Sequence, residues 1–468
     1  MKVRFKYLLV GYIAVFIALS FIFSRDYLYI REVDLVYILM IFILAFLPAL
    51  VFVLNKSESR LIPLMPLHGI FYAAVMGWPA LSNKTVWLSG NSESITESLA
   101  VVCLALFFLN LGYYLTKYYI KERRSSFKFL LSISPIRELI IGWILFLIYL
   151  LFIIFPQLSE IPSVQHIAMV ALYLSLGILF NAWVKNRLSK TQKGLYIIAF
   201  SFAILTIVFV GSLAKAVFLF TFIGIIYWRE KQSIPWSFCI MILLIVVALN
   251  PVKHVYRSVI NNEIVENLSF TEKSVLFVNS IEVFFDSGRS VFSIINTDKS
   301  AVNRLAHIST LSRVVEKTPD IIPYWGGETY LPLGTFFIPR ILWADKPSEN
   351  SGQTFGHRYS FLNTHDVTTS YNMPWLTELY ANFGIIGVIL GMFSIGLFFR
   401  FLVSQLSVYS PNGIEFVAGL SVTFELFFAD SNFSLIANGV FLKYLLCLLL
   451  LRILTLKFKL GSVKTIAE

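Results

Sequence analysis

Basic side chains recur near the ends of apolar segments, where they could hold an anionic group. An ionised side chain inside a membrane costs about 2.5–3.5 kcal/mol on insertion scales, so such residues usually serve a function. A lipid pyrophosphate is the natural ligand, because guanidinium and ammonium groups can neutralise the charge of a departing diphosphate. The candidates for binding it are Lys215, Lys253, Arg257, Arg289 and Arg340.

A sugar hydroxyl that attacks such a donor would need a proton acceptor within about 3 Å. Imidazole and carboxylate groups suit that role, and the sequence offers them in the NTHDVTTS and WLTELYANFG segments. The candidate catalytic residues are therefore His365, Asp366 and Glu378, with His254 as a further possible base. A structural alternative stays open for Glu378, which together with Asn382 could simply begin a helix.

Three aromatic residues of the same region could stack on sugar rings, namely Tyr324, Trp325 and Trp343. Most of the aromatic excess is typical of lipid-facing packing and interfacial belts.

Structural explanations also exist for several charged residues. Lys215 and Lys253 could extend their ammonium groups to a membrane surface, and Arg340 could stack on its aromatic neighbours. Glu425 and Lys443 fit an intramembrane ion pair better than a catalytic pair. His307 fits a surface or core position.

Cysteine and metal chemistry receive little support from the sequence. Cys103, Cys239 and Cys447 all fall in apolar segments. No His/Cys cluster has the spacing of metal ligands, so we expect no metal and no cofactor.

The elements that must position these residues are apolar helices. The chain is 57% hydrophobic and only 14% charged, against about 25% charged in soluble domains. A helix needs about 20 apolar residues to cross a bilayer. We therefore predict an all-α polytopic membrane protein with about twelve transmembrane helices and one large, partly helical external loop. The predicted spans are 7–23, 35–54, 61–81, 96–119, 138–155, 164–184, 195–211, 214–228, 236–250, 377–400, 413–430 and 435–456.

The positive charges are unevenly distributed between the connecting loops. The net charge is +11, but most Lys and Arg outside the long loop lie in the termini and in alternate short loops. This pattern is typical of cytoplasmic loops and does not form a nucleic-acid surface. We expect both termini in the cytoplasm, an uncleaved first helix, and an extracytoplasmic loop at 251–375. The domains are then 1–250, 251–375 and 376–468.

Within the loop, apolar spacing predicts helices over 272–296 and 300–317, the second ended by Thr318-Pro319. Accumulated Gly and Pro over 323–372 predict an ordered coil, the usual place for a binding site. The breaker-rich span 61–81 is expected to be kinked.

Three segments resemble the bacterial oligosaccharide repeat-unit polymerases, the Wzy or O-antigen polymerases. They are NPVKHVYR, ETYLPLGTFFIPRILWADKP (328–347) and TSYNMPWLTELYANFGIIGVILGMFSIG (369–396). The resemblance implies a GT-C-like architecture and a metal-independent inverting glycosyltransferase. Such an enzyme moves a glycan from undecaprenyl pyrophosphate onto a lipid-linked repeat at the outer face of the cytoplasmic membrane.

By the same resemblance, Arg257 and Arg340 would bind the pyrophosphate. Tyr371-Asn372 stands where the related O-antigen ligases carry a histidine-asparagine pair, which counts against a ligase and leaves the base unassigned. The implied partners are undecaprenyl-pyrophosphate-linked oligosaccharide, membrane lipid, a flippase and a chain-length-determining co-polymerase. The resulting glycan would be a lipopolysaccharide, capsule or exopolysaccharide.

Other functions remain open at this point. A polyprenyl-phosphate-sugar glycosyltransferase would use acidic residues of the first external loop, where Asp26, Glu32 and Asp34 are available. A flippase for the same lipid would bind near mid-membrane between internal repeats, and none are visible. A structural or sensor membrane protein is the third possibility.

Overall fold

The architecture comes from a computed structural model of the chain. It describes residues 30–55, 57–82, 91–116, 133–155, 157–160, 164–209, 213–233, 270–286, 306–335, 351–367, 369–407, 413–428 and 430–464, with the isolated positions 86, 127, 129–130, 239–240, 249, 252, 256, 338, 342–343 and 345.

The regular elements of these described ranges are all helical. Eight helices are long and apolar enough to cross a membrane, which confirms the prediction of an all-α chain with the character of a multi-pass membrane protein. They are Glu32–Leu54, Leu64–Leu81, Ser92–Leu115, Pro135–Ile154, His166–Val184, Lys190–Phe209, Trp375–Leu406 and Phe433–Leu456.

These eight helices coincide with eight of the twelve predicted spans. Span 7–23 lies outside the described residues, as does nearly all of span 236–250. Span 214–228 forms the helix Leu213–Lys231, which is not among the eight. Span 413–430 forms only the short helix Ile414–Thr423 and one 3₁₀ turn.

We number the main helices in chain order. They are α1 (Glu32–Leu54), α2 (Leu64–Tyr72, then a π-helical stretch Ala73–Gly77 and Trp78–Ser82), α3 (Ser92–Leu115), α4 (Pro135–Ile154), α5 (Gln165–Val184), α6 (Lys190–Phe209), α7 (Leu213–Lys231), α8 (Phe270–Asp286), α9 (His307–Lys317), α10 (Gly352–Arg358), α11 (Trp375–Leu406), α12 (Ile414–Thr423) and α13 (Phe433–Lys464). The π-helical stretch lies in the span where the sequence predicts a kink.

Local signals start two of the long helices. The side chain of Asn91 accepts a hydrogen bond from the Glu93 amide at 3.1 Å and caps α3. Ser134 caps α4 in the same way, and Pro135 occupies the first helical position, where its missing N–H costs nothing. Polar caps of this kind satisfy amides that have no partner within the helix.

Two ion pairs attach connecting segments to helices. Arg400 of α11 donates from Nη1 to both carboxylate oxygens of Glu58, at 3.1 and 3.0 Å. Arg187, just after α5, pairs with Glu138 of α4 at 2.9 Å. Glu58, Glu138 and Arg400 are buried, and a buried charge is tolerated when it is paired in this way.

Two helices of the long loop overlap the two that the sequence predicts there. The structure gives α8 over Phe270–Asp286 and α9 over His307–Lys317. Helix α9 ends at Thr318, as predicted. Its apolar face, with Ile308, Leu311 and Val314, is fully buried and packs against α3 and α11. This part of the loop is therefore attached to the helix bundle.

Helix α11 is not one continuous helix. Gly384 has φ 62° and ψ −151°, a backbone region that essentially only glycine adopts. The side chain of Leu379 lies 2.2 Å from where a Cβ on Gly391 would be, although twelve residues of straight helix rise about 18 Å. The rings of Trp375 and Phe399 are 6.0 Å apart. The chain therefore reverses at Gly384 and forms a helical hairpin, whose short arm is 375–383.

Backbone groups of the loop satisfy the open end of the short arm. The amides of Trp325 and Gly326 donate to the carbonyls of Ala381 and Asn382 at 3.1 and 3.2 Å. The Gly327 amide donates to the Asn382 side chain at 2.9 Å. These bonds complete the last turn before the reversal, where helical partners are missing.

Candidate functional site

A cavity of about 380 Å³ lies between helices α5, α7 and α13 and the end of α12. It combines charged groups with an apolar aromatic wall. The sequence separates these elements widely, since the lining runs from residue 166 to residue 443. Only the packing of the bundle brings them together.

Three basic side chains line this cavity: His166 near the start of α5, Lys215 near the start of α7, and Lys443 in α13. Lys215 is exposed and forms no ion pair with any residue that the structure describes. Lys443 pairs with the Glu425 carboxylate. The cavity thus presents one ammonium group that is available to a ligand and a second that is held by a carboxylate.

Further polar groups come from the break between α12 and α13 and from the first turns of α13. Asp430 lines the cavity beside Ser431 and Asn438. The Asn372 side-chain amide donates to Asp430 Oδ2 at 3.4 Å. Burial raises the pKa of Asp430, and a hydrogen bond from its own backbone opposes this. Asp430 is therefore a carboxylate that holds a proton more readily than an exposed aspartate.

Aromatic rings form the apolar wall. Phe218 and Phe428 stack with their centroids 4.3 Å apart and their planes at 16°. Tyr173 and Phe424 lie 5.6 Å apart. Such a surface suits a hydrocarbon chain, whereas the charged side of the same cavity suits an anionic headgroup.

The end of α12 explains why the charged groups meet here. The helix tightens into the 3₁₀ turn Phe424–Phe427, and Phe428 then leaves helical geometry. His68 of α2 contacts the carbonyl oxygen of Leu426 at 3.1 Å. A Cβ on Gly439 would lie 3.1 Å from Glu425 Oε2, so this glycine lets the carboxylate approach α13 closely.

A family model described as a domain of unknown function (DUF8712) matches residues 63–460. The chain belongs to this family. No curated protein and no solved structure was found to match it. The DUF8712 match includes every element that lines the cavity, so the site is part of the family domain and not an appended feature.

Of the predicted pyrophosphate ligands, only Lys215 is placed in the cavity. Lys253, Arg257, Arg289 and Arg340 lie outside the residues that the structure describes, as does His254. Their role stays a prediction.

Glu378 lies away from the cavity lining and is fully buried. Its Oε2 accepts a hydrogen bond from the Phe433 amide at 2.6 Å, so it caps the start of α13. Asn382 donates to Thr329 Oγ1 at 3.0 Å, and Ser434 donates to the Thr329 carbonyl at 2.7 Å. These groups tie the hairpin, the loop and α13 together, and the observed contacts of Glu378 are structural.

His365 and Asp366 occur in a surface turn of the loop. Asp366 Oδ1 accepts a hydrogen bond from the Thr369 amide at 2.9 Å, and His365 is exposed. Neither residue lines the cavity described above.

The three predicted sugar-stacking residues differ in accessibility. Tyr324 and Trp343 are 42% and 39% exposed. Trp325 is 7% exposed, and the Arg358 guanidinium lies 4.4 Å from its ring centroid. Tyr324 and Trp343 are therefore open to a sugar, whereas one face of Trp325 is occupied.

Sequence reasoning missed His166, Asp430 and Asn438. A signal for Asp430 does exist: the polar residues of FADSNFS (428–434) interrupt two apolar runs. Polar groups at such an interruption need partners inside the bundle. The Glu425–Lys443 pair, predicted as structural, does form, and it lies within the cavity.

Proposed function

We propose that the protein polymerises undecaprenyl-pyrophosphate-linked oligosaccharide repeat units into a surface polysaccharide. It would act as a metal-independent inverting glycosyltransferase at the outer face of the bacterial cytoplasmic membrane. The observation that carries this proposal is the cavity, which joins basic side chains to an aromatic wall. Two of the helices that line it, α5 and α13, are long and apolar enough to cross a membrane. The sequence resemblance of segments 328–347 and 369–396 supplies the reaction type.

The donor in such a reaction has two chemically different parts. Its diphosphate needs cations, and its isoprenoid chain needs apolar surface. Lys215 offers a free ammonium group beside Phe218, one turn further along α7. Lys443 could exchange Glu425 for a phosphate oxygen, since both partners are at the cavity surface. Ammonium groups at this position would stabilise the negative charge that develops as the diphosphate departs.

The predicted topology agrees with this use of the cavity. In the proposed orientation the start of α5, the start of α7 and the end of α12 all face the extracytoplasmic side. His166, Lys215 and Glu425 belong to these three ends. The loop 251–375 would lie on the same side and contribute Arg257 and Arg340 to the diphosphate. Tyr324 and Trp343 would be available to the sugars.

The polyprenyl-phosphate-sugar transferase is less well supported by the first external segment. Asp34 is fully buried, pairs with Arg31 at 2.9 Å and accepts a hydrogen bond from Thr96 at 2.5 Å. These bonds hold α1 against α3. Glu32 is exposed, and Asp26 lies outside the described residues.

The lipid-linked glycans of a deletion strain test the proposal. We expect single-repeat lipid to accumulate on the outer leaflet, together with loss of polymer. Accumulation on the inner leaflet would indicate a flippase instead, and an unchanged profile would refute both. The deletion should not change the cellular amount of a flippase or a co-polymerase that acts with the protein.

Substitution of Lys215 tests the site itself. One hydrogen bond to a charged group contributes about 1.5–3 kcal/mol, so Lys215→Gln should lower polymer synthesis about 10- to 100-fold. Lys190→Gln is the matched control, because Lys190 is exposed at the start of α6 and does not line the cavity. Wild-type chain length in the Lys215 variant would refute the placement of the donor in this cavity.

Arg340→Lys keeps the positive charge but loses the planar fork of the guanidinium group. It should also impair polymerisation without changing the protein level.

A further inference from the structure

Asp430 occupies a distinctive position in the cavity. It lies in the short break between the 3₁₀ turn that ends α12 and the first residue of α13. Its side chain is half-buried at the cavity surface. The Asn372 side-chain amide donates a hydrogen bond to Oδ2 at 3.4 Å. The carboxylate is thus fixed by a neutral donor while it faces the cavity.

The two carboxylates of this cavity differ in their partners. Glu425 pairs with Lys443, so its carboxylate is already engaged by a cation. Asp430 forms no ion pair with a described residue, and its side chain accepts a hydrogen bond from the neutral Asn372 amide. Burial also raises the pKa of Asp430. Of the two carboxylates, Asp430 is therefore the one that is not held by a described cation and is available to accept a proton.

We propose that Asp430 is the general base of the glycosyl transfer. This inference rests on the proposed function. The acceptor hydroxyl oxygen forms a bond to the anomeric carbon of the donor while the bond from that carbon to the phosphate oxygen breaks. The electron pair of the breaking bond leaves with the lipid diphosphate. The hydroxyl proton moves to the carboxylate of Asp430.

Asn372 is then a positioning residue. It immediately precedes the short arm of the α11 hairpin, with only Met373 and Pro374 between it and Trp375. Its hydrogen bond fixes the carboxylate without neutralising it. The hairpin consequently sets the direction in which Asp430 faces the acceptor.

Other titratable groups face Asp430 across the cavity, and a pH profile must separate them from it. They are His166 and Tyr173 of α5, Lys215 of α7, Glu425 at the end of α12 and Lys443 of α13. His166 is the only one of these five whose ordinary pKa lies near neutrality. His166→Gln is therefore needed beside the Asp430 variants.

The test uses the full-length protein in lipid nanodiscs. The substrate is the lipid-linked single repeat extracted from cells that lack the protein, and polymer formation is measured against pH. Asp430→Asn should lower the rate about 10²- to 10⁴-fold, the usual contribution of a general base. It should also abolish the acidic limb, because a base must be deprotonated to act. His166→Gln should retain that limb.

Substrate retention separates proton transfer from binding. We expect Asp430→Asn to retain the lipid-linked repeat within about threefold of wild type. Asp320→Asn is the matched control, since Asp320 is exposed in the turn after α9 and should leave rate and profile unchanged. A wild-type rate in Asp430→Asn, or a loss of rate fully matched by a loss of binding, overturns the assignment.

Failure of this inference can be told from failure of the proposed function. If wild-type protein forms no polymer from the extracted lipid, the proposed function fails and the base assignment fails with it. If wild type polymerises and Asp430→Asn does so equally well, only the base assignment fails. Should the asparagine variant not reach the membrane, Asp430→Glu decides the matter. Its displaced carboxylate should lower the rate at least about tenfold and shift the acidic limb, and an unchanged rate and limb refute the assignment.

Discussion

Replacement of Gly384 by alanine tests the chain reversal that positions the site. With φ 62° and ψ −151°, an alanine at this position would be strained by about 1–3 kcal/mol. Its Cβ would also lie 2.6 Å from the Tyr324 hydroxyl oxygen. That atom is the far end of a side chain that is 42% exposed, so it can move away at little cost. The backbone term therefore dominates, and we expect a loss of about 2 kcal/mol.

Two further glycines calibrate this value. Gly326 also has a positive φ, of 61°, but nothing lies within 4 Å of an added Cβ. Gly326→Ala should therefore show backbone strain alone, of about 1 kcal/mol. Gly194 lies inside α6 with open space around it, and Gly194→Ala should be neutral or slightly stabilising. Tyr324→Phe should restore only a small part of the stability lost in Gly384→Ala.

Thermal unfolding in detergent, at one fixed scan rate because membrane proteins often unfold irreversibly, measures these differences. A disulfide provides an independent measurement of the same reversal. Leu379→Cys and Gly391→Cys should cross-link on oxidation in a Cys239→Ser background, since the Leu379 side chain lies against Gly391. In a straight helix these residues would be about 18 Å apart, too far for a disulfide. Absence of the cross-link, with Gly384→Ala as stable as wild type, would refute the hairpin.

Three other expectations concern stability and are measured by the same melting assay. Glu58→Gln should cost about 3–5 kcal/mol by leaving Arg400 buried without its carboxylate, and Glu58→Gln/Arg400→Gln should cost less; equal losses would contradict the pairing. Burial lowers the pKa of His307 from 6.5 to about 4. The stability that comes from keeping His307 neutral is therefore fully present above pH 6.5, and about 3 kcal/mol of it is lost as the pH falls toward 4. His307→Gln should flatten that part of the profile of stability against pH. Glu378→Ala should lower the free energy of unfolding by about 1–3 kcal/mol, because it leaves the Phe433 amide unsatisfied. Glu378→Gln keeps an acceptor and should lower it less. Equal losses of stability in the two variants would argue against the cap.

The class of the protein was determined by the sequence, because hydropathy is a sum over neighbouring residues. Long apolar runs predict membrane-spanning helices wherever the chain continues in one direction. The end of α9 at Thr318-Pro319 was likewise predictable, since proline at that position does not continue a helix. The apolar face of α9, with Leu311 and Val315, follows directly from spacing of three and four residues.

Two of the predicted spans differ from the structure. The apolar run 377–400 predicts one continuous helix, yet the chain reverses at Gly384 within α11. The run 413–430 reads as a full span, yet α12 ends early and places Glu425 and Asp430 at a break. Both outcomes depend on packing partners that are distant in the sequence. The loop amides of Trp325 and Gly326 bond to the last carbonyls of the short arm of α11. His68 contacts the Leu426 carbonyl in the 3₁₀ turn that follows α12.

Only the tertiary structure decided which residues share the candidate site. The sequence singled out Lys215 as a phosphate ligand and paired Lys443 with Glu425, but it contains no spacing that relates the two lysines. His166 carried no such signal, since a single polar residue near a helix end is compatible with simple solvation, and the polar segment around Asp430 did not show which groups it would meet. Their common role arises because four helix ends meet around one cavity. Hydropathy fixes which segments enter the membrane, but side-chain packing between helices fixes which ends become neighbours.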